Sequence, residues 1–501
     1  MNRFMLALLI IMMSISLAGS TQAQNPTISV GASVTGSVSA TQTQEWQFTP
    51  TQNQSLNVIV QRIADDLDPT IAIYDPNGAI IAQNDDHITG KVFDAAVQAV
   101  PFQQNITYGI RVGSYAGSGD YRLWLVPGYA HVWESESFVG NASRWVGPYA
   151  KQQQDTLLLS TEGLVGRRLT SIPAGQVAID DFYLQADFQW VSGDNNASVG
   201  LFFWATTNGD GYYFAVSPNG TWSLLRQQGG VQETVQPPTA DTQLPAERFA
   251  LGVWAEGNIL KLFLNGALLA EIPVSDALTG LWGFHIYGSQ LAALAQVDNI
   301  LLTVPEASPE PAYPSTLTNW RSGRPEDITA EFSELGMITT EGRRTLFINE
   351  TGYQINPQQN RFYTQSNEAG YNYVVGVDVT FPAGGDIGCG VALRHTNDAN
   401  QLIAYADTAG GAALVRVRDG ILQFNAYDTV PTPLEPVSDG ATRLIAILDG
   451  EWAALYVNGE FFASTFAPPT IGEIGATLLN YAAGVGSCSY SNLWVWAFDS
   501  P

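Results

Sequence analysis

The residues best suited to binding chemistry lie on one alternating segment, residues 181–190. Side chains of a β-strand point alternately to two faces. One face of this segment carries polar or aromatic groups, namely Tyr183, Gln185, Asp187 and Gln189. A phenol ring can stack on a sugar ring, while amides and a carboxylate bond its hydroxyl groups. We predict that this row binds a glycan and that Arg226 joins it from a neighbouring strand. The alternative is a row that is only hydrated, beside tryptophans that fill the core.

A second set of residues could bind a metal ion. Five carboxylates lie in loops at strand ends near the N-terminus: Asp66, Asp68, Asp85, Asp86 and Asp94. Calcium takes about six to eight oxygen ligands from carboxylates and carbonyls on adaptable loops. The alternative is that these side chains hold turns by accepting bonds from backbone N–H groups. Calcium is the one cofactor that the sequence suggests, and both readings stay open.

No catalytic residue is predicted. The sequence has no Gly-x-Ser-x-Gly elbow, no His-Glu-x-x-His pattern and no cysteine cluster. Its histidines are scattered along the chain: His87, His131, His285 and His395. The segment 326–331, Glu-Asp-Ile-Thr-Ala-Glu, comes nearest to a catalytic carboxylate pair, but its spacing is wrong.

Charge and cysteine content limit the classes of partner. The chain carries 47 Asp and Glu against 21 Lys and Arg, a net charge of −26. Nucleic acid phosphates and anionic membrane surfaces would be repelled, so neither is a predicted partner. The only cysteines, Cys389 and Cys488, are predicted to form a disulfide rather than a metal or redox pair, given the export signal described next.

The N-terminus reads as an export signal. A basic start, an apolar run and a Thr-x-Ala site predict a signal peptide over residues 1–23. The apolar run is too short to span a membrane, which needs about 20 apolar residues. The predicted location is therefore secreted, periplasmic or at the cell surface.

Short alternating runs between Gly, Asn, Asp and Pro predict strands throughout. We predict an all-β protein of three tandem β-sandwich or jelly-roll domains after the signal peptide. The predicted bounds are 24–128, 129–305 and 315–501, with a Pro-rich linker at 306–314. The third unit repeats the second, since Asn265-Gly266 recurs as Asn458-Gly459 and Asn299 as Asn492, both at an offset of 193.

Two family resemblances follow from these segments. Residues 67–86, 105–112 and 117–124 resemble the bacterial pre-peptidase C-terminal domain, which implies a small sandwich accessory to secreted enzymes, some relatives of which bind calcium or polymers. The repeated unit resembles the concanavalin A-like lectin/glucanase superfamily, nearest to its laminin-G-like and keto-glycoside-hydrolase-like members. Glucanases of that superfamily carry a Glu-x-Asp-x-Glu strand, which the matching strands of this chain lack.

These observations predict a secreted, non-catalytic, multi-domain protein that binds a glycan or a similar extracellular polymer. One alternative is a glycoside hydrolase of the keto-glycoside type, for which an acidic pair lining one cleft would be the structural sign. Another is a surface-structural module that contacts other proteins. The sequence leaves the oligomeric state and the ligand's identity open.

Overall fold

The fold is all-β, as predicted. The computed structural model describes residues 25–63, 66–138, 143–244, 246–275, 279–306, 308–338, 341–346, 353–355, 361–363, 368–381, 387–429, 440–481 and 486–498. Within these ranges most regular structure is β-strand, and the helices whose bounds are given are one α-helix and two short 3-10 helices. The predicted signal peptide lies outside the described residues. No helix in the described ranges is both long and apolar enough to cross a bilayer.

The first sandwich is built from eight strands. They are β1 (Ala32–Ser39), β2 (Gln44–Phe48), β3 (Gln54–Arg62), β4 (Asp68–Tyr74), β5 (Ile80–Asn84), β6 (Ala95–Phe102), β7 (Tyr108–Ala116) and β8 (Ser118–Val126). One sheet has the order β1-β8-β3-β6 and the other β2-β7-β4-β5. The β4–β5 turn forms as its sequence predicts, because Asp75 accepts bonds from the Asn77 and Ala79 N–H groups and Gly78 has φ 81°.

The second sandwich contains fourteen strands. They are β9 (His131–Glu136), β10 (Ala150–Gln153), β11 (Thr156–Ser160), β12 (Arg168–Ser171), β13 (Phe182–Ser192), β14 (Ser198–Ala205), β15 (Gly211–Ser217), β16 (Thr221–Gln228), β17 (Val231–Ala240), β18 (Arg248–Glu256), β19 (Ile259–Leu264), β20 (Ala267–Pro273), β21 (Leu281–Tyr287) and β22 (Leu294–Val304). A 3-10 helix, Ser143–Trp145, precedes β10. The larger sheet has the order β10-β11-β22-β13-β18-β19-β20, with β9 also on β22, and the smaller β12-β21-β14-β15-β16-β17.

The third sandwich has the same plan. Its strands are β23 (Arg343–Leu346), β24 (Tyr353–Ile355), β25 (Arg361–Tyr363), β26 (Glu368–Gly370), β27 (Tyr373–Thr380), β28 (Ile387–Asn397), β29 (Asn400–Asp407), β30 (Gly411–Arg418), β31 (Ile421–Thr429), β32 (Thr442–Asp449), β33 (Trp452–Val457), β34 (Glu460–Phe466), β35 (Gly472–Asn480) and β36 (Cys488–Ala497). One sheet has the order β23-β36-β27-β32-β33-β34, with β24 on β36, and the other β25-β35-β28-β29-β30-β31, with β26 on β35.

The predicted disulfide is present. Cys389 on β28 bonds Cys488 on β36, with 5.8 Å between the two Cα atoms. Because these strands belong to different sheets, the bond joins the two layers of the third sandwich through its core.

Register shows that the second and third sandwiches are copies. A β-bulge follows Gln185 where β13 meets β22, and another follows Gly376 where β27 meets β36. Asn299 and Asn492 oppose these bulges and have φ of 48° and 51°. Asn tolerates this left-handed conformation better than most residues. The same bulge with the same residue places equivalent side chains at equivalent points of both copies.

Different elements cover the same face of the two copies. The first sandwich packs on the second through a cluster that includes Ile59, Trp124 and Val126 with Tyr183, Phe263 and Leu301. On the third sandwich, the equivalent face is covered by the chain's own segment, the 3-10 helix Trp320–Ser322 and helix α1 (Pro325–Glu334). Helix α1 buries Ile328 and Phe332, spaced by one helical turn, against β-strand residues such as Ile447 and Tyr456.

The Pro-rich segment between these copies is held at several points. Ser308 N donates to Glu451 Oε2 at 2.7 Å, and Lys91 of the first sandwich lies 3.5 Å from Glu310. Tyr313 stacks on Phe461 with ring centroids 5.8 Å apart. This segment therefore contacts both the first and the third sandwich.

Candidate functional site

The predicted row on β13 is divided into a covered half and an open half. Tyr183 is fully buried and Gln185 is 1% exposed, because the first sandwich packs over them. The Tyr183 hydroxyl donates to Gln185 Oε1 at 2.7 Å, and Gln185 Nε2 donates to the Gly31 carbonyl at 2.7 Å. The expectation that these two side chains face solvent is wrong. They satisfy their polar groups within an interface between sandwiches.

The open half lines a groove between the first and second sandwiches. We call it the Asp187 groove; its volume is about 640 Å³. Its floor contains two cross-strand pairs, Asp187 with Asp298 and Gln189 with Gln296. Residues directly opposite in antiparallel strands have Cβ atoms about 4.5–5.5 Å apart, so this floor presents carboxylates and amides side by side. Further lining comes from Asp155, Arg248, Asn299 and the segment 29–33 of the first sandwich.

Of the two carboxyl groups on this floor, Asp187 has the pKa that differs more from its usual value. Burial raises the pKa of Asp187 to about 6, while the hydrogen bond from Asn299 Nδ2 to its Oδ2, at 2.9 Å, acts in the opposite direction. Burial also raises the pKa of Asp298, whose Oδ1 accepts the Asn299 N–H at 2.7 Å. Asn299 therefore holds both carboxylates in place, and its bulge conformation makes that double contact possible.

Arg226 does not join the row. It lies opposite Tyr212 on β15, with its guanidinium 5.6 Å from that ring's centroid, and Tyr212 belongs to the sandwich core. Asp187 and Gln189 point away from that core on the other sheet. The larger sheet therefore separates Arg226 from the groove, which corrects the prediction for this residue.

The third sandwich holds Asp378, the register equivalent of Asp187, in a closed arrangement. Arg443 binds Asp378 through two bonds, Nε to Oδ1 at 2.6 Å and Nη2 to Oδ2 at 2.8 Å. Asn492 Nδ2 donates to Asp378 Oδ2 at 2.7 Å, and Arg443 Nη1 donates to the Trp320 carbonyl at 2.6 Å. Asp378 and Arg443 are 4% and 6% exposed. We call this arrangement the Asp378 lock.

The second sandwich keeps the carboxylate and the amide of this lock but not its guanidinium. Asp187 and Asn299 occupy the register positions of Asp378 and Asn492, whereas Ala250 occupies the position of Arg443. Arg248, two residues before Ala250, lines the groove and is exposed. The carboxylate that Arg443 binds in one copy thus faces an open groove in the other.

Sequence reasoning missed four of the groove residues: Arg248, Gln296, Asp298 and Asn299. The repeat contained a usable signal for one of them, because Asn299 recurs as Asn492. Asp298 and Gln296 required the pairing of β13 with β22, which lie more than a hundred residues apart in the chain.

The predicted calcium residues occupy different local environments. Asp94 accepts the Arg62 N–H at 3.0 Å, Asp86 accepts the Gly90 N–H at 2.9 Å, and Asp66 is exposed. Asp68 Oδ1 is buried without a partner, and burial together with Asp86 and Asp85 raises the pKa of Asp68. Among the described residues, no three acidic, histidine or cysteine side chains converge on one point as metal ligands would. Calcium binding stays a prediction.

Comparisons with known proteins give likenesses at low similarity. No family model matches this chain, and no curated protein is similar to it in sequence. A carbohydrate-binding module, CBM66 from Bacillus subtilis, aligns at 16% identity and TM-score 0.24 over 30% of this chain and 92% of the module. The Caenorhabditis elegans galectin LEC-6 aligns at 18% identity and TM-score 0.20, over 28% of this chain and 99% of its own.

The LG4-5 domains of the mouse laminin α1 chain cover more of the protein. They align at 11% identity and TM-score 0.21 over 68% of this chain and 92% of their own. Scores and identities this low carry no inference about ligand or activity. The pre-peptidase C-terminal resemblance of the first sandwich stays a prediction.

Proposed function

We propose that this chain is a secreted, non-catalytic glycan-binding protein whose ligand occupies the Asp187 groove. The observation that carries the proposal is the open Asp187 carboxylate, which has Ala250 opposite it where the sister copy binds the equivalent Asp378 with Arg443. Saccharide hydroxyls both donate and accept hydrogen bonds, and this floor offers carboxylate acceptors, guanidinium donors and amides that do both.

The first sandwich has a defined part in this proposal. It supplies one wall of the groove through residues 29–33, and its contact with Tyr183 and Gln185 fixes that wall on the second sandwich. A chain segment at the equivalent place on the third sandwich closes the lock instead of leaving a groove. The first sandwich is then an accessory unit that shapes the site.

The test is polysaccharide binding by the full chain, first on a glycan array and then by calorimetry. Asp187→Ala combined with Gln296→Ala should weaken binding by about tenfold to a hundredfold, because a hydrogen bond to a charged group contributes about 1.5–3 kcal/mol. The matched control is Gln232→Ala, an exposed glutamine on β17 of the same sandwich, which should bind as the native chain does. No binding to any glycan, or equal binding by the groove variant, would refute the proposal.

A second candidate function is glycoside hydrolysis at the same place. Asp187 and Asp298 form a cross-strand carboxylate pair in one groove. Retaining glycosidases hold their two carboxyl groups about 5–5.5 Å apart, and cross-strand neighbours have Cβ atoms about 4.5–5.5 Å apart, so rotamers of this pair can reach a similar carboxyl separation. Turnover of an oligosaccharide panel that Asp298→Asn abolishes, with binding kept, would establish this function. Binding without turnover in the native chain would leave the non-catalytic proposal in place.

A further inference from the structure

The second and third sandwiches differ in the residue that lies opposite the groove carboxylate. Ala250 on β18 is the cross-strand partner of Asp187, whereas Arg443 on β32 is the partner of Asp378. One copy therefore carries a methyl group where the other carries a cation. The scaffold is shared, but the charge that neutralises its carboxylate is present in only one copy.

Backbone contacts confirm that Ala250 and Arg443 are equivalent. The Ala250 N–H donates to Asn265 Oδ1 at 2.9 Å, and the Asn265 N–H donates back to the Ala250 carbonyl at 2.9 Å. The Arg443 N–H donates to Asn458 Oδ1 at 2.7 Å, and the Asn458 N–H donates back to the Arg443 carbonyl at 2.8 Å. Each asparagine belongs to the repeated Asn-Gly turn. The loss of the guanidinium is therefore a substitution at a fixed point of the fold.

This substitution leaves one carboxylate oxygen without a donor. Asn299 Nδ2 donates to Asp187 Oδ2 at 2.9 Å. In the sister copy, Asn492 Nδ2 donates to Asp378 Oδ2 at 2.7 Å, so the amide contact is kept. Asp378 Oδ1 accepts from Arg443 Nε at 2.6 Å. Asp187 Oδ1 accepts no hydrogen bond within the described part of the chain, so the position that a cation occupies in one copy is unfilled in the other.

The charges that line the groove favour a cation at this position. Its lining includes three carboxylates, Asp155, Asp187 and Asp298, against the single guanidinium of Arg248. Burial raises the pKa of Asp187, and the attraction of Arg122 and Arg248 only partly offsets that effect. Neither arginine forms a salt bridge with Asp187 among the described residues. A cation that binds this carboxylate directly would stabilise its charged form.

The groove also has room and hydrogen-bonding groups for a sugar ring. Its volume of about 640 Å³ lies within the range of about 300–1,000 Å³ that holds small ligands. Ala250 lines it together with Asp187, so the place of the missing guanidinium opens into the groove. Gln189 and Gln296 are cross-strand neighbours on the same floor and can bond hydroxyl groups. These amides favour a saccharide over the lysine or arginine side chain of a protein, which carries no hydroxyl group.

We propose that the ligand of the Asp187 groove is a saccharide with a free amine, whose ammonium group binds Asp187 where Arg443 binds Asp378. This inference rests on the proposed function and names the class of saccharide. An ammonium group donates three hydrogen bonds, so one of them can go to the unfilled Oδ1 while neighbouring hydroxyl groups reach the amides. A polymer of such sugars is a polycation, which a chain of net charge −26 attracts.

The experiment is calorimetry on the full chain at neutral pH with three oligosaccharides of the same length and linkage. They are made of glucosamine, N-acetylglucosamine or glucose, so that the amine is present, acetylated or replaced by a hydroxyl group. We expect the glucosamine oligosaccharide to bind at least tenfold more tightly than either neutral one. The measurement is made in about 0.15 M salt, which screens long-range attraction to the rest of the surface.

Two groove variants test the position of the ammonium group. Asp187→Asn should remove the preference for the amine, because the carboxylate charge is lost. Ala250→Arg should also remove it, because the introduced guanidinium can form the ion pair of the Asp378 lock and fill the site. The matched control is Glu233→Gln, which removes one negative charge from an exposed position on β17 of the same sandwich and should keep the preference.

Several results would overturn the inference. These are equal binding of the three oligosaccharides, an unchanged preference in folded Asp187→Asn, and, if that variant does not fold, an unchanged preference in Ala250→Arg. Trilysine that binds as tightly as the glucosamine oligosaccharide would overturn the saccharide part. Neutral glycans that bind without any preference for the amine, and that Asp187→Ala with Gln296→Ala weakens, would overturn this inference and leave the proposed function standing.

Discussion

Replacing Asp378 by Asn should destabilise the third sandwich far more than Asp187→Asn destabilises the second. Asp378 accepts two bonds from Arg443 and one from Asn492, and the ion pair has side-chain exposures of 7% and 5%. An asparagine amide would place a donor against either the Arg443 or the Asn492 donors, and it would leave Arg443 without a counter-charge. Removing one partner of a buried pair costs about 3–5 kcal/mol.

Hydrogen exchange measured by mass spectrometry on the full chain is the suitable assay, because unfolding of three sandwiches is not a single two-state transition. At about 1.4 kcal/mol for each tenfold change, exchange from the opened third sandwich should speed up on the order of a hundredfold to several thousandfold, with β27 and β36 as reporters. In Asp187→Asn, exchange of β13 should change less than tenfold, since Ala250 stands where Arg443 binds Asp378 and Asp187 has no such ion pair to lose. Similar effects in both copies would refute the distinction between lock and groove.

The remaining predictions concern the disulfide and two titrations. The double variant Cys389→Ala/Cys488→Ala should destabilise the third sandwich by about 4–5 kcal/mol, because the bond closes a loop of about 100 residues. Hydrogen exchange of β28 reports this free energy of unfolding, and a loss below about 1 kcal/mol would contradict the prediction. Glycan affinity should fall as pH drops through about 6, where Asp187 loses its charge; Asp187→Asn should flatten that profile. Two histidines meet where the first sandwich contacts the other two: His87 Nε2 lies 2.6 Å from His131 Nδ1, and His131 Nε2 lies 3.8 Å from Glu451 Oε1. Burial lowers the pKa of His87 to about 4 and the pKa of His131 to about 3. Both values lie below the unfolded value near 6.5, so the stability of this junction should be present above about pH 6.5 and lost as pH falls towards 4. Proteolysis at pH 5 and pH 7.5 checks this, and equal rates would contradict it.

Local pattern was enough for the strands. The period of two over residues 181–190 placed Phe182, Leu184 and Phe188 in the core correctly. The Asn-Gly pairs at 265–266 and 458–459 form turns whose Asn residues have φ of 49° and 48°, which few other residues tolerate. Helix α1 went unpredicted, although Pro325 at its first turn and the acidic Glu326 and Asp327 are ordinary helix-start signals.

The sequence by itself determined the alternation, the duplication and the disulfide, because each depends on residue type and spacing along the chain. The tertiary structure decided which polar face meets water. Tyr183 and Gln185 look as hydrophilic as Asp187 and Gln189 in the sequence, yet the first two are covered and the last two line a groove. A polar side chain can be buried whenever its hydrogen bonds are satisfied, and the Gly31 carbonyl that satisfies Gln185 comes from another sandwich. The open Asp187 and the closed Asp378 differ through Ala250 in place of Arg443, and only the strand register shows that these two positions are equivalent.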